Sequence, residues 1–224
     1  MSHKDNIESN NELITIIGFN LDENRANINF ILEKSPSIIL LSEVLNDNTI
    51  KEFGDYHCIG SVKSHCMTVY LLIRRKIFKE VIDVIKIVGA ILAVVDTTFG
   101  RFVIGSVHLY FGKEGESVRN KQVKHLYDYI TVNQLESIPI IIGGDTNMRN
   151  EKNDLSRNFQ DTALDLEMDN LITWPNKSLN KFRDFKGRGF RYDRIYTKNV
   201  FPLMYKRIKR NDSDHYAIEA QYIH

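Results

Sequence analysis

Pro139-Ile140-Ile141-Ile142-Gly143-Gly144-Asp145-Thr146-Asn147-Met148-Arg149 is the stretch whose reading decides the fold. From Ile138 onward, but for Pro139, it is apolar up to Ile142, the mark of a strand buried on both faces. Two glycines follow, which adopt backbone dihedrals closed to other residues and so let the chain turn sharply. A carboxylate, a carboxamide and a guanidinium then recur at every second position. On an extended segment that alternation points Asp145, Asn147 and Arg149 to one side. A carboxylate fixed at the tip of a buried strand can act as general base or metal ligand. The amide beside it can orient a water or a phosphate oxygen. Gly, Asp and Asn are equally the residues of a β-turn, so this stretch alone leaves both readings open.

Outward from it, similar segments recur on both sides. Leu13 to Phe19 reads as a strand, and Asp22 is placed to cap a helix running to about Lys34, with Pro36 beyond its end. Ile38 to Leu41 is a second buried strand, ending at Ser42-Glu43, and a short helix is expected over Asn48 to Phe53. Tyr56 to Val62 with Met67 to Arg74 reads as a hairpin, followed by strands over Val81 to Val88, Ala90 to Asp96 and Arg101 to Leu109. Ser117 is placed to cap a helix in which Val123, Leu126, Tyr127 and Ile130 keep amphipathic spacing. After the central strand come a helix over Leu155 to Met168 and closing strands over Phe190 to Thr197, Leu203 to Ile208 and Ala217 to Tyr222. Strands in hairpins with helices between some of them imply two stacked sheets flanked by helices.

The 224 residues suit a single domain over 12–224 behind a loose, polar tail at 1–11. With 42% apolar and 26% charged residues, the composition is that of an ordinary globular protein. No apolar run approaches the roughly 18 residues of a membrane span, and no signal-peptide hydrophobic region is present. Cys58 and Cys66 are too few for a disulfide framework or a zinc site, although they could pair across a hairpin. An intracellular monomer away from membranes is therefore expected. The net charge of +1 hides an asymmetry: residues 181–210 carry +9 and the remainder −8. Such a run suits a polyanion; it also suits solvated strand faces.

The chemistry-bearing residues collect at strand ends. In order they are Gly18-Phe19-Asn20, Leu41-Ser42-Glu43-Val44, Ser106-Val107-His108-Leu109, Gly144-Asp145-Thr146-Asn147, Arg191-Tyr192-Asp193-Arg194 and Ser213-Asp214-His215. This order and content resemble the endonuclease/exonuclease/phosphatase superfamily over about Ile14 to Ile218. Within it, Gly143 to Arg149, Ile172-Thr173-Trp174 and Phe190 to Tyr196 most resemble the tyrosyl-DNA phosphodiesterase 2 branch. Four positions depart from that pattern: Gly18-Phe19 stands where the family has Thr-Trp, Ser42 where it has Gln, and Tyr110 where Glu follows His-Leu.

The resemblance implies an α/β (α+β) four-layer sandwich, two packed, mainly antiparallel β-sheets flanked by α-helices. It also implies a metal-dependent hydrolase that cleaves a 5′-phosphotyrosyl bond to DNA, or to RNA, and leaves a 5′-phosphate. The residues fit that chemistry. Glu43 is a hard oxygen ligand for Mg²⁺, with Mn²⁺ as the alternative. Asp214 and Asn20 are expected beside the cation. Asp145 is the expected general base and Asn147 its orienting partner, while His108 and His215 face the phosphate oxygens and Asp193 holds His215 charged. Arg149, Trp174, Tyr110 and Arg191 are the expected substrate contacts, with residues 185–190 a cap over the groove. An exposed indole can stack on a base or on an aromatic leaving group. His3, His57, His65, His125 and His224 lack such surroundings. Other readings remain: an abasic-site or general endonuclease, a phosphoinositide phosphatase, or a nucleic-acid-binding module without catalysis.

Overall fold

Antiparallel strands join through tight turns, whereas a parallel pair needs a longer crossover, usually helical. That difference positions the site. The computed structural model describes residues 13–23, 26–45, 48–64, 67–112, 115–149, 153–168, 170–175 and 189–223. Along the chain, β1 (Ile14–Asn20), α1 (Asn29–Lys34), β2 (Ile38–Val44) and α2 (Asn48–Lys51) lead to the antiparallel pair β3 (Tyr56–Ser64) and β4 (Met67–Arg74). The meander β5 (Phe78–Ile87), β6 (Ala90–Thr97), β7 (Gly100–His108) follows, then α3 (Glu116–Val132) and β8 (Ile140–Asp145). The remainder is α4 (Asp154–Asn158), β9 (Gln160–Asp161), α5 (Thr162–Asp165), β10 (Asp193–Lys198), β11 (Phe201–Ile208) and β12 (Ala217–Ile223).

Two six-stranded sheets result, ordered β11-β12-β1-β2-β4-β3 and β5-β6-β7-β8-β10-β9. Among the described residues the only parallel pairings are β1 with β2 and β7 with β8, one at the centre of each sheet. The segment carrying α1 makes the first crossover and the segment carrying α3 the second. In each central pair the C-terminal residues lie side by side, Asn20 against Ser42 and His108 against Asp145. An antiparallel neighbour brings its N-terminal end to the same edge, so Asp193 of β10 is registered on Asp145.

Period-2 alternation sorts the apolar side chains into layers. Ile16 and Leu40 of the first sheet face Ile104 and Ile141 of the second across the inter-sheet core. Their neighbours Ile17, Ile39 and Leu41 point outward under Ile28 and Ile31. On the other side, Ile140, Ile142 and Val103 pack beneath Val123, Leu126 and Ile130 of α3. Each such side chain contributes about 1.5–3 kcal/mol when fully buried. The expected sandwich of two mainly antiparallel sheets with outer helices is therefore the observed fold. No helix among the described residues is long and apolar enough to cross a membrane.

Three local expectations are corrected. The first helix begins at Asn29, seven residues after Asp22, because Asp22 and Glu23 both take left-handed backbone angles incompatible with a helical start. Ser117 does not cap α3; Gly115 occupies the cap position. The helix expected over Leu155 to Met168 is two short ones, because Gln160 and Asp161 leave the helix to pair with β10 as an edge strand. The tail at 1–11, Cys66 with its pairing to Cys58, and residues 185–188 of the expected cap lie outside the described residues.

Candidate active site

Asn20 ends β1 and bridges two carboxylates. Its Nδ2 donates to Glu43 Oε1 at 2.9 Å and to Asp145 Oδ2 at 3.0 Å, while its Oδ1 accepts the backbone N–H of Asp22 at 2.9 Å. Asn20 thus shapes the turn after β1 and touches both carboxylates at once. In this orientation the amide oxygen faces the backbone, so Asn20 organises the carboxylates where an oxygen ligand beside the cation was expected.

Glu43 reaches the cluster because β2 is irregular. Pairing with β4 slips between Leu41 and Val44, and Glu43 has a φ of +55°. Such a bulge re-aims a side chain that strict alternation would send elsewhere. Burial pushes its carboxyl up to about 7, against a lowering by the Asn20 amide, and neighbouring Asp145 raises it further.

Asp145, 1% exposed, sits at the centre. Its Oδ1 accepts the Asn147 N–H at 2.9 Å; its Oδ2 lies 3.6 Å from His215 Nε2 and 3.7 Å from His108 Nε2. His108 Nε2 is also 3.6 Å from Glu43 Oε1. Gly144, at a φ of +130°, brings this strand end so close to β7 that a Cβ would collide with the Val107 carbonyl. Asn147 departs from the expected alternation, because the strand stops at Asp145 and Asn147 takes a φ of +51°. It holds Asp145 through its own backbone and donates Nδ2 to the Leu109 carbonyl at 3.0 Å.

His215 arrives on a turn that its own neighbours build. Ser213 Oγ donates to the Asn20 carbonyl at 3.0 Å and accepts the His215 N–H at 3.0 Å. The imidazole Nδ1 is 2.7 Å from Asp193 Oδ2. Burial would lower the imidazole's basicity, but Asp193 and Asp145 outweigh it and hold the ring protonated up to about 10. Thr173, which the sequence reading placed only as a neighbour of Trp174, fixes this carboxylate's strand: its Oγ1 accepts the Asp193 N–H at 3.0 Å. Only its burial next to a motif could have marked it.

Two groups of side chains are close enough for their ligand atoms to share an ion, Glu43 with His108 and Asp145, and Asp145 with Asp193 and His215. Hard carboxylate oxygens dominate both, and burial, with Asp145 and Asp214 nearby, makes the ionised Glu43 carboxylate costly unless a cation joins it. A divalent cation fits that donor set. Asp214 stands at the margin: its Oδ2 accepts the Trp174 indole N–H at 3.1 Å and its Oδ1 is 4.0 Å from His215 Nε2.

No known family's sequence profile matches this chain, and no curated protein matches it. Solved structures do. D. rerio TDP2, complexed with single-strand DNA product, superposes with a TM-score of 0.77 at 19% identity, over 94% of this chain and 99% of that one. The human Nocturnin catalytic domain gives 0.73 at 16%, covering 95% of each chain. The endonuclease/exonuclease/phosphatase from Bacteroides vulgatus gives 0.72 at 17%, over 94% and 98%. This chain has the endonuclease/exonuclease/phosphatase fold.

At the rim of this edge, an aromatic row leads to the cluster. Trp174 is half-buried, 5.5 Å from the ring of Tyr192 and 6.3 Å from that of Phe190, and Tyr192 lies 6.5 Å from His215. Arg149 stacks 4.6 Å above Phe190, and its Nε lies 3.4 Å from the Tyr192 hydroxyl. Trp174 and Arg149 are thus brought together beside the cluster, and Tyr110 is half-buried just beyond His108. Arg191, expected as a substrate contact, is engaged inside the fold: its side chain is 11% exposed and its guanidinium grips both oxygens of Asp161 at 2.8 Å. Several other described residues of the basic run are also engaged within the fold. Arg194 is buried against backbone carbonyls, Lys206 pairs with Glu219, Arg207 holds the Ile172 carbonyl and Arg210 pairs with Asp212. Lys181, Arg183, Lys186 and Arg188 lie outside the described residues.

Proposed function

We propose that this protein is a Mg²⁺-dependent phosphodiesterase that releases tyrosine from the 5′ end of DNA. The observation that carries the reading is Asp145 Oδ2, held by the Asn20 amide at 3.0 Å and faced by both imidazoles within 3.7 Å. Glu43, with Asp145, His108 or Asp214 beside it, would hold the cation. When bound it would supply positive charge to the phosphate.

The remaining chemistry belongs to side chains. Asp145 accepts the proton of the attacking water, whose oxygen forms the new bond to phosphorus as the bond to the tyrosyl oxygen breaks. His215, kept cationic by Asp193, neutralises charge on the non-bridging oxygens, and His108 faces them from the other sheet. The leaving phenolate is stable enough to depart with little acid assistance. Trp174, Tyr192 and Phe190, with Arg149 over them, offer flat surfaces and a cation to a nucleotide or an aromatic leaving group. The likeness to D. rerio TDP2 supports DNA as the partner, and RNA carrying the same linkage presents the same chemistry.

Side-by-side turnover of 5′-tyrosyl DNA, 5′-tyrosyl RNA, 3′-tyrosyl DNA and abasic duplex, with and without Mg²⁺, tests the proposal. Fastest release of free tyrosine from the 5′-tyrosyl strand, with a 5′-phosphate left behind, is expected. Faster nicking of abasic duplex would make the protein an endonuclease instead. DNA binding without any hydrolysis would make it a binding module.

A further inference from the structure

Three elements far apart in sequence meet at the backbone of His108: the end of β3, the turn between β5 and β6, and α3. Strands β6 and β7 pair as far as Ala90 and Val107, and the turn itself makes the next bond. There the His108 N–H donates to the Gly89 carbonyl at 2.7 Å. From the end of β3, Ser64 Oγ donates to the His108 carbonyl at 3.0 Å, and the Lys63 carbonyl accepts the Gly89 N–H at 3.1 Å. Both backbone polar groups of His108 are therefore held.

A two-residue turn with an exposed valine, Val88, at its tip is a weak anchor by itself. Gln122 of α3 secures it. Its Nε2 donates to the Val88 carbonyl at 2.7 Å, and its Oε1 accepts the Tyr110 N–H at 3.0 Å. One buried amide thus ties the turn to the chain two residues beyond His108. Gly89 lets the parts close up. It has a φ of +76°, and a Cβ there would run into the His108 carbonyl and crowd Gln122 Nε2 at 3.1 Å and Ser64 Oγ at 3.2 Å. With both ends of the Gln122 amide engaged, losing it strands a donor on one side and an acceptor on the other.

We propose that Gln122 and Ser64 are positioning residues for His108, acting on the reaction through the place in which they hold that imidazole. This rests on the part given to His108 in the phosphodiesterase reading above. The ring has a demanding place to keep. Its Nε2 lies 3.6 Å from Glu43 Oε1 of the first sheet and 3.7 Å from Asp145 Oδ2 of the second. A misplacement of about 1 Å in such a setting can cost about 10²-fold in rate. Gln122 makes its bonds to Val88 and Tyr110, and Ser64 meets His108 only at the backbone. Their influence therefore passes through the backbone on which the imidazole is carried.

The test is a double-mutant cycle on tyrosine release from a 5′-tyrosyl oligonucleotide, with Gln122→Met, His108→Ala and the pair. Gln122→Met should lower kcat by about tenfold or more and leave KM within about twofold. In the His108→Ala background it should cost nothing further, because the group it positions is gone. Ser64→Ala should behave in the same way with a lesser loss, and its cycle decides the matter if Gln122→Met is insoluble. An unchanged kcat, or the same loss in both backgrounds, would overturn the inference. A second readout does not depend on turnover: the His108 imidazole resonance, recognised by its disappearance in His108→Ala. It should move in Gln122→Met while that of His215 stays. An unmoved His108 resonance, or an equal movement of both, would overturn the inference. If wild type releases no tyrosine, the proposed function falls, and the resonances alone decide whether Gln122 places His108.

Discussion

Asp193 and His215 meet at 2.7 Å, carboxylate oxygen to imidazole nitrogen, both buried at the edge where the two sheets converge. They arrive there because β10 and β12 each run antiparallel to a central strand, β8 and β1, and so start where those strands end. The pairing keeps His215 cationic with Asp145 on its other side.

The consequence for pH follows directly. The folded imidazole titrates at about 10, above its ordinary value of 6.5. Its contribution to stability is therefore complete below pH 6.5 and is lost as pH rises toward 10. Through His215, activity should hold at neutral pH and fall on the alkaline side. Asp193→Asn should pull that alkaline limb down by at least about one pH unit, read from kcat/KM against pH and from the His215 resonance.

Glu43 behaves in the opposite sense. Because burial raises its carboxyl from 4.5 to about 7, the metal-free protein loses stability from this group as pH rises through that window. A cation needs the carboxylate form, so Mg²⁺ affinity should strengthen up to about pH 7, with proton release on binding. Calorimetry in two buffers of different ionisation enthalpy measures the proton. Glu43→Gln should abolish both the release and the acid-side dependence.

Asn20 is a strut whose removal should show in stability. Hydrogen bonds to charged groups contribute about 1.5–3 kcal/mol each, and about 2–4 °C of Tm accompanies each kcal/mol in a chain of this size. Asn20→Ala removes two such bonds and should therefore lower Tm by about 6–24 °C without cation. Asn20→Asp, which adds a third acid to the cluster, should lower it further unless Mg²⁺ is present. Melting curves with and without the cation separate the two variants.

Gly144 cannot accept a side chain. Its φ of +130° and the nearness of the Val107 carbonyl make Gly144→Ala a backbone collision at the junction of β7 and β8. A loss of more than about 3 kcal/mol is expected, visible as a lowered denaturation midpoint or as insoluble protein.

Much of this was legible from strand-end polar residues, because a buried strand announces itself by an apolar run and its tip by the first charge after it. Ile138 to Asp145 and Ile38 to Glu43 are read that way, and the structure brings their tips together. What was not legible is local backbone. The bulge that turns Glu43 inward has no sequence mark, since Glu in the left-handed region is not a residue preference. The same holds for Asn147, whose alternation with Asp145 ends at the strand boundary. The fate of single charges in the basic run was hidden for a different reason: composition counts charges but not partners, and Asp161, 30 residues from Arg191, pairs with that guanidinium inside the fold. The break between α4 and α5 was hidden because a two-residue edge strand carries too little periodicity to read.

The most direct test of the central claim is the rate of tyrosine release from a 5′-tyrosyl oligonucleotide in Mg²⁺ by wild-type protein and by Asp145→Asn. The variant keeps the shape and the Asn20 contact site but cannot take a proton, so wild type should release tyrosine and the variant should be slower by about 10²–10⁴-fold. A variant as fast as wild type, or a wild type that cleaves no phosphodiester, would contradict it.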